Sequence, residues 1–418
     1  MSGPIESPVF TPLRIGPLTL SNRVLRTAAF EGMCPGGLPS RELVGHHREM
    51  AAGGVALTTV AYCAVSPDGR TYEHQLLASP AIAAGLRRLT DSVHSEGAAA
   101  SIQLGHCGDF SSPRVIGGRP PGPSRRVVLY GLTVSRAMTS DDVERITGDF
   151  VSAARLAAES GFDAVEIHAG HGYLLSQFLC PRINRRGDEL GDNPEGRVRF
   201  PAEVVRRVRD ALPARVALLV KINAEDGFPG GLEPDGAALA ARAFEEAGAD
   251  ALVISGGFVS REPLYMLRGN VPTREMAAVQ PSVPRRVGLR LFGRLFVPRH
   301  EFEELFFMEP ARPIRQAVSL PLVLAGGVCS LAGMENALGA GFEAFAVGRA
   351  LVRDSLFVRR LSAGEIATSD CDHCNRCIAE MDRGGLRCTT AEEERLNRDR
   401  SAGAASSRRT AAPATRRE

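Results

Sequence analysis

The sequence predicts an α/β chain folded as a single closed parallel (β/α)8 TIM barrel, with a long insertion after strand 6 and a Cys-rich segment behind the barrel. Three observations carry that expectation. Eight short apolar runs recur along the 418 residues, stretches of helical period separate most of them, and polar side chains or glycines follow directly on several runs. A doubly wound open sheet is the competing arrangement of the same alternation.

In chain order the runs are residues 24–30, 55–61, 98–104, 164–167, 216–222, 251–254, 320–324 and 344–347. Short, uninterrupted apolar runs of this kind suit strands covered on both faces. Residues 141–159, 196–211, 235–247 and 331–340 supply intervening helices, three of them leading through Ala-Gly or Ser-Gly pairs into the next strand. Residues 258–313 break the rhythm, being too long for a βα loop. Within them VGLRLFGRLFV sets Arg290 and Arg294 four apart among leucines and phenylalanines. A cap on the barrel mouth or a subunit contact in a homo-oligomer is expected there; a membrane surface or a coenzyme A phosphate would also suit a basic, aromatic-bearing helix.

Hydrophobic content of 44% and charged content of 23% suffice for a large core. The net charge is +2, and the last thirty residues, with seven Arg against five acids, account for it, so nothing argues for nucleic acid. No apolar run is long enough to span a membrane, and the first residues lack the basic start and apolar centre of a leader, so a cytoplasmic protein without a transmembrane segment is expected. Residues 1–370 are expected to form the barrel, 371–390 a cysteine segment, and 391–418 a disordered tail, residues 401–418 having too few apolar side chains to fold. The cysteine count is odd and four of the nine crowd into 371–388, which favours metal or cluster ligation over disulfides.

The stretch GFDAVEIHAGHGYLLSQFL ends its apolar run in His168, His171 and Tyr173. That places them at the C-terminal end of strand 4, the end of a barrel where chemistry sits. Two imidazole N–H groups three residues apart can converge on one carbonyl oxygen, and the phenol can give a proton to a neighbouring carbon. A zinc pair or hydrogen-bonded core histidines are the other readings of His-x-x-His.

Strand 7 ends in LAGG and strand 8 in VGRA, so Gly326, Gly327 and Gly348 can turn backbone N–H groups to a phosphate, with Arg349 as a charged donor. Of the 50 Lys and Arg residues only Lys221 is a lysine. A compact charge at the end of strand 5 would stabilise a reduced isoalloxazine ring, or serve as a Schiff-base amine. Gln103, at the end of strand 3, has the amide to pair with a flavin's pyrimidine edge.

Together TPLRIGPLTLSNRV, SIQLGH, GFDAVEIHAGHGYLLSQFL, NRRGDELGDNPEGRVRF, LVKINAEDG, LVLAGGV and FAVGRAL resemble the old yellow enzyme family of FMN-dependent NAD(P)H oxidoreductases. The likeness runs from about residue 10 to 388 and is greatest to the branch containing 2,4-dienoyl-CoA reductase and trimethylamine dehydrogenase. It implies FMN as cofactor and NADH or NADPH as reductant. By it His168 and His171 hold a substrate carbonyl, and Tyr173 is the proton donor. Gln103 and Lys221 contact the flavin ring, Gly327, Gly348 and Arg349 hold its phosphate, and Ala28, Ala29 and Phe30 lie along the ring edge. Two departures stand out. Many relatives have Pro-Met and then Cys or Thr where this chain has Ala28, Ala29 and Phe30, and Gly32 stands near the place of a tyrosine found in bacterial relatives.

Cys371, Cys374, Cys377 and Cys388, spaced C-x2-C-x2-C-x10-C, resemble the 4Fe-4S ligands of the same branch, while four thiolates would also suit zinc. Because thirty residues follow the last of them, a cluster would serve an external electron-transfer partner or brace the fold. The expected activity is reduction of the activated C=C bond of an enone, quinone or acyl-CoA by hydride from flavin N5. The alternative is a flavin and iron-sulfur dehydrogenase that oxidises an amine or alcohol and passes electrons out through the cysteines.

Overall fold

The computed structural model describes residues 5–128, 132–280 and 282–396. Eight parallel strands close a barrel: β1 Val24–Arg26, β2 Leu57–Ala64, β3 Ala99–Gly105, β4 Ala164–Ala169, β5 Ala217–Asn223, β6 Ala251–Ser255, β7 Leu322–Ala325 and β8 Ala344–Val347. Every expected run contains a strand. Closure is made where β8 meets β1, with Phe345 opposite Val24 and Val347 opposite Arg26, which rules out the open sheet. The first run is only partly strand: the Thr27 amide still donates to the Val347 carbonyl at 3.0 Å, and beyond it residues 28–30 leave the ladder along the barrel mouth.

Alternation along each strand sorts the barrel into layers, because side chains two apart share a face. On β4 the inward set is Ala164, Glu166 and His168, and on β5 it is Ala217, Leu219 and Lys221, paired Ala164 with Ala217, Glu166 with Leu219 and His168 with Lys221. The lower interior is apolar, built by Leu25, Leu57, Leu219, Val253 and Val323 and plugged by the hairpin Leu13–Ile15 and Leu18–Leu20. Apart from Thr59 and Ser101, the polar side chains of the interior gather as the strands approach their C-terminal ends.

The outward faces pack on helices that start where their caps dictate. Ser140–Glu159 opens on a capping box, Thr139 accepting from the Asp142 amide while Asp142 accepts from that of Thr139. Pro194–Ala211 opens on Asn193, whose side chain accepts from the Gly196 amide, with proline at the first helical position. Phe150, Phe178, Phe200 and Phe244 from these layers are fully buried.

The insertion holds two helices, Thr273–Ala278 and Val283–Phe296. Arg285, Gly288 and Leu289 of the second line the cavity at the mouth, while Val283, Val287, Leu291 and Leu295 are exposed. The cysteine segment folds back over the same mouth, the Leu386 amide donating to the Glu31 carbonyl at 2.8 Å. Residues 391–396, expected to begin a disordered tail, are helical instead. Charge holds them where apolar contact is scarce: Glu394 pairs with Arg353 at 2.7 Å and Glu393 with Arg376. The rest of the expected tail lies outside the described residues. Among the described residues no helix is long and apolar enough to cross a membrane.

Candidate active site

A cavity of about 1000 Å³ opens at the C-terminal ends of the strands. It gathers most of the side chains that the sequence singles out. Ala28, Ala29, Phe30, Gln103, His168, His171, Tyr173, Gly326, Gly327, Gly348, Arg349, Cys371 and Cys377 line it, whereas Lys221, Cys374 and Cys388 do not reach its wall.

After β4 the backbone reverses through two left-handed residues, His171 at φ +59° and Gly172 at φ +77°. His171 is held there by its amide, which donates to Asn223 Oδ1 at 2.9 Å. Glycine is required at 172, since a Cβ would sit 2.4 Å from the Phe258 ring. The turn brings the imidazoles of His168 and His171 edge to face, 4.9 Å between centroids, with Tyr173 4.7 Å from His168.

A directed backbone hydrogen bond sets the tautomer of His168, while that of His171 follows the direction of its bond to Ser255. The Gly170 amide donates to His168 Nδ1 at 3.3 Å, leaving the proton on Nε2. His171 Nε2 lies 2.8 Å from Ser255 Oγ, a hydroxyl that can donate, with the ring proton then on Nδ1, or accept, with it on Nε2. Both rings are neutral: burial, then the charges of His171 and Lys221, hold His168 well below the usual imidazole range, and burial followed by Lys221 brings His171 down to about 3. Among the described residues no group of three or more His, Cys, Asp or Glu side chains is arranged to hold a metal ion, so the zinc-pair reading of these histidines finds no third ligand, and Cys371, Cys374, Cys377 and Cys388 are not gathered around one ion either.

Tyr62, absent from the sequence expectations, belongs to the site. Its ring lies 5.1 Å from that of Tyr173, and the two hydroxyls are hydrogen-bonded. Behind it the Cys107 thiol donates to the Tyr62 hydroxyl at 3.8 Å, and Gln75 donates to Cys107 at 3.9 Å. Burial, followed by Cys107 and Tyr173, raises the Tyr62 pKa well above the usual phenol value.

Lys221 is not the isolated ammonium that its rarity suggests. Its Nζ lies 2.9 Å from Glu166 Oε1 and donates to Thr27 Oγ1 at 3.3 Å, and Gln103 Nε2 donates to the same Glu166 oxygen at 2.5 Å. An unpaired charge so deep in the barrel would be too costly, and β4 supplies the counter-charge. An amine in an ion pair is also not the free nucleophile of a Schiff-base enzyme.

The residues fit a flavin mononucleotide. Gln103 spends an N–H on Glu166 and keeps its carbonyl oxygen, the acceptor a pyrimidine N–H needs. Among the described residues the amides of Gly326, Gly327, Gly348 and Arg349 donate to no protein acceptor, leaving four N–H groups at the ends of β7 and β8 for a phosphate. The glycines also admit the insertion: a Cβ on Gly326 would meet the Phe307 ring at 2.5 Å, and one on Gly327 the Glu303 carbonyl oxygen at 2.7 Å. The Arg349 guanidinium is engaged elsewhere, donating to the Arg268 carbonyl at 2.8 Å and Asn375 Oδ1 at 2.7 Å, which ties the insertion to the cysteine loop.

On the opposite wall Phe30 stacks on Tyr72, 4.9 Å between centroids and 18° from parallel. Gly32, near the place where bacterial relatives carry a tyrosine, has φ +70°, and a Cβ there would lie 2.0 Å from the Met381 carbonyl oxygen. The cysteine segment occupies the space a side chain would need. In that segment His373 and Asn375 are left-handed, and the Ala391 amide donates to Cys388 Sγ at 3.5 Å; burial raises the pKa values of Cys371 and Cys374, and the backbone N–H groups of His373 and Arg376 oppose that rise.

Comparison with known proteins agrees with this geometry. The profile of the NADH:flavin oxidoreductase / NADH oxidase family matches residues 8–258. A 4,4'-dithiodibutanoate disulfide reductase of Rhodococcus erythropolis is 40% identical over 385 residues, 92% of this chain and 95% of its own length. An NADH oxidase of Thermoanaerobacter brockii is 29% identical over 390 residues, covering 91% of this chain but 55% of that protein. The chain thus spans nearly all of one relative and about half of another. The solved old yellow enzyme homologue from Zymomonas mobilis shares the fold at a TM-score of 0.70 and 22% identity, over 92% of this chain and 98% of its own. The chain therefore belongs to the NADH:flavin oxidoreductase / NADH oxidase family, and is an FMN-dependent NAD(P)H oxidoreductase.

Proposed function

We propose that this enzyme reduces the activated C=C bond of an enone, quinone or acyl-CoA. The observation that carries the reading is the pair of neutral imidazoles, 4.9 Å apart beside the buried phenol of Tyr173, at the wall of a largely apolar cavity. FMN, when bound, supplies the two-electron hydride chemistry that no side chain has. Ala28, Ala29, Phe30 and Gln103 would hold its ring, with Lys221 behind Gln103 and Thr27, and Gly326, Gly327, Gly348 and the Arg349 amide its phosphate.

The side chains do the rest. Nε2–H of His168 and Nδ1–H of His171 hold the carbonyl oxygen and stabilise the negative charge it gains as the β-carbon is reduced. Neutral rings suit that role, because they donate without surrendering a proton to the oxygen. Tyr173 delivers a proton to the α-carbon, and the hydroxyl of Tyr62 is placed to restore it. The apolar wall excludes water that would otherwise compete as proton source.

Cys371, Cys374, Cys377 and Cys388 would hold a 4Fe-4S cluster. The loop's turned amides support this, since N–H groups aimed at sulfur stabilise thiolate ligands, and a cluster spreads its ligands over four irons rather than drawing them onto one ion. Such a cluster would offer a route for single electrons to an external partner.

A second reading is favoured by the relative matched along nearly its whole length, which by its name reduces a disulfide. The same imidazole N–H groups would stabilise a departing thiolate, and Tyr173 would protonate it: one hydride and one proton give two thiols. Anaerobic oxidation of NADH and NADPH by the purified yellow protein, with cyclohexenone, menadione, crotonyl-CoA and 4,4'-dithiodibutanoate offered separately, tests both. Turnover of an unsaturated carbonyl that collapses in Tyr173→Phe is the expected result. Turnover of the disulfide alone would replace the first reading by the second.

A further inference from the structure

Beside the active-site cavity lies a second cleft, of about 710 Å³, walled by Arg125, Arg126, Arg182, Arg185, Arg186 and Arg261. Two of these charges are answered. Arg126 pairs with Asp109 and Arg186 with Asp188. Among the described residues Arg125, Arg182, Arg185 and Arg261 have no carboxylate at ion-pair distance, and a buried Nη2 of Arg126 has no hydrogen-bond partner. Arg261 has only the Phe228 ring beneath it, at 5.9 Å. Arg261 is exposed as a whole, and partial burial, then the charges of Arg126 and Arg182, lower its pKa while Cys180 and Asp109 oppose the shift. Four unanswered positive charges sharing one concave surface, on a chain whose net charge is only +2, form a field that an anion would relieve.

The cleft is joined to the chemistry. Arg261 lines both it and the active-site cavity, and two residues earlier the Val259 amide donates to the His171 carbonyl at 3.0 Å. A ligand reacting beside His171 would therefore pass Arg261 before its far end reached the other arginines. Guanidinium forks match phosphate oxygens bidentately. A pyrophosphate with a ribose phosphomonoester carries about four negative charges near neutral pH, which balances the four unpaired arginines.

We propose that this cleft receives the phosphorylated adenosine diphosphate handle common to NADPH and acyl-coenzyme A, while the reacting end of the same molecule lies against His168 and His171. The proposal rests on the oxidoreductase reading of the neighbouring cavity. It adds the part of the ligand that the barrel mouth does not recognise.

The test is equilibrium titration of the flavin-loaded full chain with adenosine 2',5'-bisphosphate, adenosine 3',5'-bisphosphate and adenosine itself. At least one bisphosphate is expected to bind and adenosine not to, with affinity falling as salt rises. Competition separates the sources: the 2'-isomer displacing NADPH assigns the cleft to the reductant, the 3'-isomer displacing an enoyl-CoA assigns it to the substrate. Arg125→Gln with Arg182→Gln should weaken the bound isomer by roughly tenfold to a hundredfold, the effect of losing charge-assisted contacts. Failure of both isomers to bind, or unchanged affinity in the double variant, overturns the proposal. The flavin spectrum of the same samples reports separately on the oxidoreductase reading, and Arg125→Lys with Arg182→Lys, which keeps the charge, guards against a merely structural loss.

Discussion

Lys221 Nζ and Glu166 Oε1 lie 2.9 Å apart inside the barrel, one from β5 and one from β4, with both side chains nearly fully buried. Two charges in so little water are stable only together. Removing the negative charge by Glu166→Gln leaves a buried ammonium without a counter-charge, so the expected loss is about 3–5 kcal/mol in global stability. Lys221→Met combined with Glu166→Leu should recover much of that loss while still failing to retain FMN normally. Denaturant unfolding and flavin content read the two effects separately, and a double variant no more stable than Glu166→Gln would contradict the pairing.

His47 and His168 are buried and His46 and His171 partly so, and burial is the main cause that lowers the pKa of each, that of His171 to about 3. In the unfolded chain each titrates near 6.5. Above that pH neither state holds these protons and stability is full; as pH falls from about 6.5 toward 3 the unfolded chain takes up protons that the folded one refuses. Each histidine should then remove up to about 1.4 kcal/mol per pH unit. Asp226, raised to about 6 by burial, works the other way over part of that range, since its folded form takes a proton first. Thermal unfolding at pH 7.5 and 5.0 is expected to show a clear fall at the lower pH, smaller in His171→Asn.

The barrel was legible because each strand is apolar on both faces, so short runs mark it without help from the rest of the chain. His168, His171 and Tyr173 were legible because they interrupt such a run at its end. Glu166 was available to the same logic: it stands two residues before His168, on the same face, inside a run read only as apolar. Tyr62 falls one residue beyond the second run, and an aromatic at a strand end carries no mark that separates a relay from core. Gly326 and Gly327 were read as openings for phosphate, yet their second reason, the approach of residues 303–307, depends on an insertion whose path no local pattern gives. The arginine cleft draws on residues 125–126, 182–186 and 261, three loops that only the fold brings together.

Tyr173 and Tyr62 share a hydrogen bond, but only Tyr173 borders His168 closely, at 4.7 Å. Tyr173→Phe should lower the rate of alkene reduction by about 10²–10⁴, the usual contribution of a general acid, while flavin reduction by NAD(P)H stays nearly unchanged. Tyr62→Phe removes the resupply route and leaves the donor, so a drop of roughly tenfold is expected, with a larger solvent isotope effect. Stopped-flow measurement of each half-reaction decides; equal losses in both halves for Tyr173→Phe would assign the phenol to flavin binding instead.

Gly327 has φ +78°, and a Cβ there would stand 2.7 Å from the Glu303 carbonyl oxygen and 2.8 Å from the Leu305 nitrogen. Backbone atoms cannot swing aside as a side chain can, so Gly327→Ala should push the end of the insertion off the mouth and distort the unpartnered amides beside it. FMN affinity is expected to fall by at least roughly tenfold, the cost of a lost charge-assisted hydrogen bond. The far-UV circular dichroism should hold, because the barrel ladder does not run through this residue. Flavin release on gel filtration measures the first and the spectrum the second.

Cys371 and Cys377 border the active-site cavity, and the Arg349 guanidinium ties Asn375, between them, to the Arg268 carbonyl. Loading of the proposed cluster and closure of the mouth would thereby be linked through one side chain. Anaerobically purified protein should carry about four irons per chain, and Cys377→Ser should lose most of them. Both bonds come from Arg349 Nη1, so Arg349→Met, which removes that donor, should retain iron more weakly, with faster loss to a chelator, while FMN absorbance changes less. Iron analysis, visible absorbance and low-temperature electron paramagnetic resonance after dithionite reduction check this without recourse to turnover. Protein that is iron-free under anaerobic conditions, with Cys377→Ser indistinguishable from the parent, would leave the four thiols as a brace that closes the mouth and nothing more.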